Sequence, residues 1–518
     1  MHILSHETIA QTELERLAEL IAPRLIAGDC LALVGDLGAG KSTFARALVK
    51  ALLGDPSADV PSPTFPIVIT YERQTSKGTA VPIAHYDWYR LSDDTELDEI
   101  GFDDSQPNQI TLVEWPDRLP NALPTNHLRV ELQPALNDAE ARSITIARHG
   151  DIQKPERFDR LHVLFDAAMH VTPKVTRISH MTGDASSRSY ARLHLADGTT
   201  AILMDNPAMP DGAPLADGRP YSRHAKLAET IEPFLNIATG LREAHLSAPM
   251  VLLSEARKGW AVLEDLGDQP FDHLVRADGN DQRQLWLAAL DTLIALRARL
   301  IDLDACPQWV TALPPIDTGV MDVEVALFCD WAVELGSPAQ ADDRARSAYI
   351  AAWNAALAEF TRAPDQQNGV MLRDYHSPNL MWLPDRRAHQ RVGVIDFQDA
   401  LRGPWAYDVV SLCQDARVDV SPMLEHAAKA HYVSQMQTID PQFCRETFDR
   451  HYAILGAQRA AKIIGIFHRL DKRDGKPGYK VHLPRVIRYL QTNLEHPALK
   501  QVRHWFATNA PHSLEEQT

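Results

Sequence analysis

The sequence predicts an α/β domain followed by an α+β domain that has a small strand-rich lobe and a larger helical lobe. Three patterns support this prediction. The apolar segment "CLALVG" runs directly into a glycine-rich turn and a helical pattern, which together form a strand-loop-helix unit. Alternating apolar residues in "YARLHLADGTTAILMD" predict a β-hairpin with Asp-Gly at its turn. From about residue 281 onward, helical periodicity dominates.

The α/β domain is expected to occupy residues 1–150. Residues 6–27 carry an amphipathic pattern that predicts a helix before the first strand. Proline-bounded apolar segments then predict four further strands, "PIVITYE", "VPIAHYDWY", "QITLVEW" and "LRVEL". These segments supply the sheet of one α/β domain that ends near residue 150.

The second domain is expected to occupy residues 159–518, after a linker at 151–158. The linker is predicted because "RHGDIQKPERFDR" is polar and lacks apolar periodicity. A second hairpin, in "APMVLLSEARKGWAVLEDL", precedes long helical patterns such as "ETFDRHYAILGAQRAAKIIGIFHRL". The order of these patterns places the strand-rich lobe before the helical lobe.

The charge of the chain limits its partners. The 518 residues have a formal net charge of -17, and residues 1–150 hold 12 Lys and Arg against 22 Asp and Glu. Non-specific nucleic-acid binding depends on Lys and Arg that neutralise phosphates, so this balance argues against strong direct nucleic-acid binding. Five scattered cysteines without a CxxC pair indicate neither a disulfide framework nor a zinc site. With no signal peptide and no apolar run of membrane-spanning length, a cytoplasmic protein without a membrane partner is expected.

The stretch "GDLGAGKS", residues 35–42, matches GxxxxGK[ST] in the context that gives this motif its meaning, between a strand and a helix. Gly35, Gly38 and Gly40 allow the backbone to turn its N–H groups inward around an anion, next to a helix N-terminus. Lys41 is expected to meet the β- and γ-phosphates of a nucleotide, and Ser42 to bind Mg²⁺. A glycine turn without a ligand is the structural alternative.

Three later segments narrow the interpretation of this motif: "SPTF", "HYDWYRL" and "LVEWPDRLP". Together with "GDLGAGKS", they closely resemble TsaE, the small P-loop ATPase of the bacterial system that makes threonylcarbamoyladenosine on tRNA. The resemblance covers residues 5 to 150.

The resemblance to TsaE implies roles for individual residues. Nucleotide and metal binding map onto Lys41, Ser42 and Thr43. Asp87 and Glu114 are the implied catalytic carboxylates, with Glu114 also placed to hold Mg²⁺ or its water after the apolar "TLV" strand. Trp115 is implied to cover the nucleotide. A solvated carboxylate at a strand end is the alternative for Asp87, and a core anchor is the alternative for Trp115.

The same resemblance implies protein partners of the TsaB and TsaD type, which perform the transfer onto tRNA. A segment at residues 93–104 has seven acids and no Lys or Arg, and it would repel a phosphate backbone. The acids are Asp93, Asp94, Glu96, Asp98, Glu99, Asp103 and Asp104. We interpret this segment as a protein-docking surface, with an ordinary solvated acidic helix as the alternative.

A second set of candidate residues lies in "LRDYHSPNLMW" and after the apolar strand "VGVID". Phosphoryl transfer to a hydroxyl needs a carboxylate that orients the hydroxyl and accepts its proton, and oxygen ligands that hold Mg²⁺ against the phosphates. Asp374, Asn379 and Asp396 supply these parts in the order found in kinases. Each residue alone is typical of a turn, and the ordered trio is what favours the catalytic interpretation.

Residues 160–505 resemble the aminoglycoside-phosphotransferase-like kinases. More narrowly, "GDASSRSYARL", "LRDYHSPNLMWL" and "DFQDALRGPWAYDVVSL" resemble AmgK, a family of kinases that phosphorylate the anomeric hydroxyl of N-acetylmuramate and N-acetylglucosamine. The resemblance implies that Asp374 is the catalytic base and that Asn379 and Asp396 bind magnesium. "MTGDASSRSYARL" is expected to cover the ATP phosphates, and "VLEDLG" to form the hinge between the lobes.

The sequence departs from the kinase pattern in two places. Leu372 and Arg373 precede Asp374, so the first residue of the usual HxD or HGD is absent. Met204 stands near the position where related kinases carry a phosphate-binding lysine. Arg188, expected to bind nucleotide, and Arg192 are the candidates to replace that lysine, with a surface role as the alternative.

The two resemblances imply an α/β P-loop NTPase domain followed by an α+β protein-kinase-like (aminoglycoside phosphotransferase) two-lobe domain. They imply two ATP-dependent and Mg²⁺-dependent activities, an ATPase for tRNA modification and an amino-sugar kinase for cell-wall recycling. Three alternatives stay open. The P-loop domain could serve only for docking or regulation, and the kinase lobe could act on an aminoglycoside or another small alcohol. The kinase lobe could also be a nucleotide-binding pseudokinase. Asp408, in "WAYDVV", is expected to brace the catalytic loop rather than to react.

Overall fold

The computed structural model describes residues 2–74, 80–135, 138–181, 188–209, 212, 214–215, 218–277, 281–301, 306–333, 343–361 and 369–514. The chain forms two compact units. The first comprises Met1–Pro207 and Leu252–Asp265, and the second comprises Ala208–Val251 and Leu266–Thr518.

The strands and helices of the first unit form two sheets with helices beside them. The strands are β1 (His2–Ala10), β2 (Cys30–Val34), β3 (Val68–Gln74), β4 (Ala80–Asp87), β5 (Ile110–Glu114), β6 (His127–Ala135), β7 (Asp138–His149), β8 (Val175–Met181), β9 (Ser189–Leu195), β10 (Thr200–Asp205), β11 (Val251–Glu255) and β12 (Trp260–Glu264). The helices are α1 (Gln11–Ile21), α2 (Lys41–Leu53), α3 (Thr95–Glu99), α4 (Phe102–Ser105) and α5 (Leu161–Met169).

The larger sheet has seven strands in the order β1-β7-β6-β2-β5-β4-β3. Strand β2 lies parallel to β5 and β6, and β4 lies parallel to β5. The apolar sequences "CLALV" and "ITLVE" form the centre of this sheet because strands buried on both faces need side chains of this kind. The parallel arrangement brings the carboxyl ends of β2, β4 and β5 to one edge, where the glycine-rich motif begins.

The amino-terminal helix is shorter than predicted. Residues 6–27 were expected to be one helix, but residues 2–10 form β1 and the helix α1 begins at Gln11. Strand β1 pairs antiparallel with β7, which lies about 140 residues further along the chain. Sheet pairing with so distant a partner overrides the local helical pattern, because intrinsic propensity is a weak preference.

The smaller sheet has five strands in the order β11-β12-β10-β9-β8. The two predicted hairpins are confirmed as β9–β10, with Asp197 and Gly198 in the turn, and β11–β12. One cluster of buried apolar side chains joins α1 of the P-loop segment to this sheet and to α5, and includes Leu17, Phe165 and Ile178. Helix α1 and the five-stranded sheet therefore share a hydrophobic core.

The predicted linker packs within the first unit. Phe158 is buried, and the Arg157 guanidinium pairs with the Asp29 carboxylate at 2.7 Å. The boundaries at 150 and 159 remain a prediction.

The second unit is mostly helical. Its helices are α6 (Tyr221–His224), α7 (Glu232–Glu243), α8 (Phe271–Arg276), α9 (Gln282–Ile301), α10 (Gln308–Thr311), α11 (Thr318–Leu327), α12 (Asp343–Thr361), α13 (Ala406–Cys413), α14 (Pro422–Ile439), α15 (Arg445–Lys472), α16 (Leu483–Leu494) and α17 (Lys500–Asn509). Two short antiparallel pairs interrupt the helices, β13 (Val370–Met371) with β16 (Leu401–Arg402), and β14 (Leu380–Trp382) with β15 (Val392–Val394). The predicted helices over "DQRQLWLAALDTLIALRARL" and "ETFDRHYAILGAQRAAKIIGIFHRL" are confirmed as α9 and α15.

Within the described part of the chain, no helix combines the length and the apolar character that crossing a membrane requires.

Candidate active sites

The glycine-rich motif lies between β2 and α2, as its sequence predicts. Gly35 has φ +148°, and a Cβ atom there would lie 2.3 Å from the Leu132 carbonyl oxygen. Gly38 and Gly40 have φ +79° and +105°. Since side chains other than glycine rarely adopt such φ values, the three glycines are what allow the loop to turn before α2 begins at Lys41.

Lys41 lies beside the loop that the motif forms. Its ammonium donates hydrogen bonds to the carbonyl oxygens of Gly35 and Asp36, at 2.8 and 2.9 Å. Burial lowers the pKa of Lys41, and the carboxylates of Glu114 and Asp87 act in the opposite direction. The ammonium is therefore held by carbonyl groups of the phosphate loop itself, which is where phosphate oxygens would compete for it.

Ser42 and Glu114 meet across the carboxyl ends of β2 and β5. The Ser42 hydroxyl donates to Glu114 Oε2 at 2.8 Å, and His85 Nε2 lies 2.9 Å from Glu114 Oε1. Glu114 and His85 are each only 1% exposed. One hydroxyl and one carboxylate suit Mg²⁺, which is commonly held by one or two protein oxygens together with phosphates and water.

Asp87 connects two of the motifs that the sequence singled out. Its Oδ2 accepts a hydrogen bond from the Thr64 hydroxyl at 2.8 Å, and its Oδ1 accepts one from the Tyr89 amide at 2.9 Å. The Ser62 hydroxyl lies 2.9 Å from that of Thr64. Asp87 is buried, so the alternative of a solvated carboxylate at a strand end is wrong.

Trp115 begins a 3₁₀ turn with φ +60° and is half-buried. The Lys41 ammonium lies 3.6 Å from the centre of its ring, and the Tyr89 ring lies 5.0 Å away. The alternative of a core anchor is therefore wrong. A cation this close to an indole face is attracted by the ring, and the indole covers the lysine of the phosphate loop.

The acidic segment is fixed to the core by two apolar side chains. Leu97 in α3 and Phe102 in α4 are buried, and the Phe102 ring packs edge-on against Tyr86 and Trp88. Six of the seven acids are exposed, namely Asp93, Asp94, Asp98, Glu99, Asp103 and Asp104. Glu96 is half-buried and accepts hydrogen bonds from the backbone and hydroxyl of Ser92. The segment presents a negatively charged surface.

The three candidate residues of the kinase half come together in the second unit. Asp374 and Asn379 lie on the loop between β13 and β14, and Asp396 follows β15. The Asn379 amide donates to the Asp374 carbonyl at 3.0 Å and lies 3.4 Å from Asp396 Oδ2. The Gln398 amide donates to Asp396 Oδ1 at 3.1 Å. An amide oxygen and a carboxylate on neighbouring loops form a donor set that suits Mg²⁺.

Asp408 braces this loop, as predicted. It is 2% exposed, and its carboxylate accepts hydrogen bonds from the amides of Leu372 and Arg373, at 2.7 and 3.0 Å. Burial raises the pKa of Asp408 to about 7, although the two amides act in the opposite direction. Asp415 holds the other end of the loop by accepting from the Ser377 amide at 2.7 Å.

A buried ionic network next to Asp374 was missed by the sequence analysis. Arg373, which has φ +68°, pairs with Glu324 of α11, and the ammonium of Lys462 in α15 lies 2.7 Å from Glu324 Oε1. The Gln458 amide donates to Glu324 Oε2 at 2.7 Å. These two cations lower the pKa of Glu324 to about 2 against the effect of burial. The available signal was an acid inside the apolar run "VMDVEVALF", because a buried charge needs a partner.

Arg373 also ties the loop to other segments of the second unit. Its guanidinium donates to the carbonyl oxygens of Ala225 and Asp399, at 2.9 and 3.4 Å. The residue that departs from the usual kinase motif therefore fixes the backbone on the amino-terminal side of Asp374.

The remaining candidate residues of the kinase half lie in the strand-rich lobe. Met204 on β10 is fully buried opposite Tyr190 and Ala261. Arg192 on β9 is paired with Asp265 at 2.6 Å, and Arg188 directly precedes β9. Residues 182–187 of the predicted phosphate-covering loop, 181–193, lie outside the described residues. The roles of Arg188 and Arg192 stay predictions.

The fold and the two residue sets define a phosphotransferase joined to a P-loop nucleotide-binding domain. The model of the phosphotransferase enzyme family matches residues 177–446. The model of the threonylcarbamoyl adenosine biosynthesis protein TsaE matches residues 8–144. The chain belongs to the phosphotransferase enzyme family, and its amino-terminal part belongs to the TsaE family.

Curated relatives divide in the same way. An N-acetylmuramate/N-acetylglucosamine kinase of Caulobacter vibrioides is 36% identical over 350 residues, which are 65% of this chain and 92% of that protein. A protein of the same name from Pseudomonas aeruginosa is 33% identical over 318 residues, 60% of this chain and 82% of its own. The TsaE of Rickettsia conorii is 32% identical over 173 residues, 33% of this chain and 93% of its own. The predicted fold, a P-loop NTPase domain before a protein-kinase-like two-lobe domain, is confirmed, and the chain is an enzyme.

Proposed function

We propose that the chain is bifunctional. Residues 1–150 would act as the ATPase component of tRNA threonylcarbamoyladenosine modification. Residues 159–518 would transfer phosphate from ATP to the anomeric hydroxyl of N-acetylmuramate or N-acetylglucosamine during cell-wall recycling in the cytoplasm. The names of the two groups of relatives support this proposal, since this chain covers 92% of the kinase relative and 93% of the TsaE relative, and the two family models match separate residue ranges.

The observation that carries the kinase proposal is the meeting of Asp374, Asn379 and Asp396 on a braced loop. In the proposed reaction, the Asp374 carboxylate orients the sugar hydroxyl and accepts its proton. The hydroxyl oxygen then bonds to the γ-phosphorus while the bond from that phosphorus to the ADP oxygen breaks. Asn379 and Asp396 would hold Mg²⁺, which neutralises charge on the phosphates when bound.

In the P-loop domain, the backbone of residues 35–42 would surround the nucleotide phosphates. Lys41 would leave the Gly35 and Asp36 carbonyls for phosphate oxygens, and Ser42 with Glu114 would hold Mg²⁺. Asp87, fixed by Thr64 and Tyr89, would orient the attacking water. The exposed acids of residues 93–104 would dock partner proteins of the TsaB and TsaD type.

The test of the kinase proposal is phosphate transfer from Mg-ATP to each amino sugar. The intact protein is compared with Asp374→Asn and with Lys41→Ala. General-base catalysis contributes about 10²- to 10⁴-fold, so Asp374→Asn is expected to lower kcat by that factor. Lys41→Ala is the matched control, since it changes only the first site, and it is expected to leave the sugar 1-phosphate yield unchanged. No sugar product from the intact protein would reject the kinase proposal.

The test of the P-loop proposal is made in cells. Lys41→Ala is expected to abolish support of threonylcarbamoyladenosine formation, while Asp374→Asn leaves it intact. If Lys41→Ala cells keep the modified base, the P-loop domain serves only for docking or regulation.

One observation favours a second candidate for the kinase half. Met204 is buried where a phosphate-binding lysine was expected, which suits a domain that binds nucleotide without transferring phosphate. Binding of Mg-ADP together with no transfer to amino sugars or aminoglycosides would support this candidate.

A further inference from the structure

A cavity of about 570 Å³ in the first unit lies outside the residues assigned above, except for Thr43. It is bordered by α1, α2 and the end of β3, together with strand β8 of the smaller sheet. Its volume is within the range of small-molecule sites, roughly 300 to 1,000 Å³. Lys41, Glu114 and Trp115 do not line it, so it is not the phosphate end of the P-loop site.

The side chains around this cavity carry an excess of positive charge. Five Lys and Arg line it, against two acids. Both acids, Glu15 and Glu19, are engaged by Arg16, which lines the same wall. The four other cations are Arg46, Lys50, Arg73 and Arg177. We call the cavity with these four residues the cationic cavity.

None of these four cations makes an ion pair among the described residues. Arg46, Lys50 and Arg73 donate to the backbone carbonyls of Val60, Pro56 and Leu25, at 3.2, 3.2 and 3.1 Å. Arg177 lies 2.9 Å from the His194 ring, and burial together with Arg177 lowers the pKa of that histidine, so the ring does not add charge. Among the described residues, these four cations of one cavity thus make no salt bridge to a carboxylate, although the chain has 69 acids against 52 bases.

The wall of the cavity is a fixed part of the fold. Glu19 of α1 accepts a hydrogen bond from the Ile178 amide of β8 at 2.6 Å, and Arg16 donates to the Thr176 carbonyl. Ile178 also lies in the core that α1 shares with the smaller sheet. Strand β8, which carries Arg177, is thereby fixed against helix α1, which forms another wall of the cavity.

From this geometry we propose that the cationic cavity binds a small organic phosphate. Arginine and lysine side chains that are not paired with carboxylates are the groups that bind phosphate oxygens in proteins. A small ligand is favoured over a nucleic-acid backbone because the cations surround a cavity, and because residues 93–104 present exposed acids on the same unit. The phosphate group could come from a nucleotide or from a sugar phosphate.

The test is calorimetric binding of inorganic pyrophosphate, AMP and ribose 5-phosphate to the full-length chain, and none of these probes is a substrate or product of the proposed kinase reaction. Each probe is titrated with and without saturating Mg-ADP, which fills the nucleotide sites. Because each guanidinium would supply charge-assisted hydrogen bonds to the phosphate, Arg73→Gln and Arg177→Gln are each expected to weaken binding by about tenfold or more. Arg129→Gln is the matched control, an arginine of the same unit paired with Asp117 and Glu131, and it is expected to change nothing.

Several outcomes overturn the proposal. They are no binding of any probe at millimolar concentration, equal loss in Arg129→Gln, or displacement of the bound probe by Mg-ADP, which would make the cavity part of the nucleotide site. If tRNA binds tightly and Arg73→Gln abolishes that binding, the ligand of the cavity is a nucleic acid and the proposal of a small ligand is wrong. A difference between AMP and the sugar phosphate identifies the source of the phosphate group. None of these readouts uses phosphate transfer, so the result is independent of the proposed kinase activity.

Discussion

The two candidate sites hold their carboxylates in different ways. At the P-loop site, Glu114 is fixed by two side chains, Ser42 at the start of helix α2 and His85 on the neighbouring strand β4. At the kinase site, the loop that carries Asp374 is held by buried charged side chains on three helices, namely Glu324 of α11, Asp408 of α13 and Lys462 of α15. The first site depends on backbone turns that only glycine permits, and the second depends on ions removed from water. Substitutions should therefore disrupt the first site through backbone strain and the second site through unpaired buried charge.

The largest effect is expected from the ionic network behind Asp374. Glu324→Leu leaves Arg373 and Lys462 buried without a carboxylate, and breaking a buried pair costs about 3 to 5 kcal/mol. We expect the free energy of unfolding of the second unit, measured in urea, to fall by that amount. Glu495→Gln is the matched control, since it breaks an exposed pair with Arg503 and is expected to cost about 0 to 1 kcal/mol. Equal losses of unfolding free energy in Glu324→Leu and Glu495→Gln would contradict the prediction that the buried network stabilises the second unit more than an exposed pair does.

The next effect is a dependence of stability on pH through Asp408. Its pKa in the folded protein is about 7, above the ordinary carboxyl value, so the folded state holds this proton more tightly than the unfolded state. The contribution of Asp408 to stability is therefore fully present below about pH 4 and is lost as the pH rises towards 7. We expect the difference in unfolding free energy between the intact protein and Asp408→Asn to change across this window, at about 1.4 kcal/mol per pKa unit. A constant difference would mean that Asp408 is ionised throughout.

Glu324 contributes in the opposite sense in a separate window. Its pKa is lowered to about 2, so its stabilisation is present above the ordinary carboxyl value of about 4.5 and is lost as the pH falls towards 2. Unfolding measured from pH 2 to 8 should thus separate the two groups.

A smaller effect is expected from the glycines of the first site. Gly35→Ala places a Cβ atom 2.3 Å from the Leu132 carbonyl at a φ that side chains rarely adopt. We expect it to lower the unfolding free energy of the first unit by about 1 to 3 kcal/mol and to abolish nucleotide binding. Gly38→Ala is the matched control, because its φ is also positive but no atom lies within 4 Å of the added Cβ. Gly38→Ala should be milder in both thermal unfolding and ADP binding, and equal effects would exclude the close approach as the cause.

The smallest effect is expected at Trp115. Trp115→Leu removes the ring that lies 3.6 Å from the Lys41 ammonium, and such a contact contributes about 0.5 to 1 kcal/mol at an accessible site. We expect a two- to fivefold weaker affinity for ADP with unchanged thermal stability. Trp115→Phe should restore most of the affinity, and a loss equal to that of Lys41→Ala would point to a larger role.

The residues that meet at the first candidate site could be predicted from the sequence because they lie in short local motifs. Gly35 to Ser42 form one strand-loop-helix unit, and Glu114 follows an apolar strand that a parallel sheet brings alongside. The sequence also predicted Asp374, Asn379 and Asp396 as one candidate set, and it predicted the bracing role of Asp408. It missed Glu324, Gln458 and Lys462, since they lie on two helices that are distant in sequence from Arg373. No local pattern records such a contact.

The sequence by itself determined the two families, most of the main strands and helices, and the residue types of both candidate sites, because spacing and periodicity are properties of short segments. Tertiary structure alone decided that residues 2–10 join the large sheet as β1, and that helix α1 shares a core with the smaller sheet. It alone placed Arg46, Lys50, Arg73 and Arg177 around one cavity. The physical reason is the same in each case. Strand pairing, apolar burial and the placement of charges are decided between segments far apart in the chain, where no short stretch of sequence contains both partners.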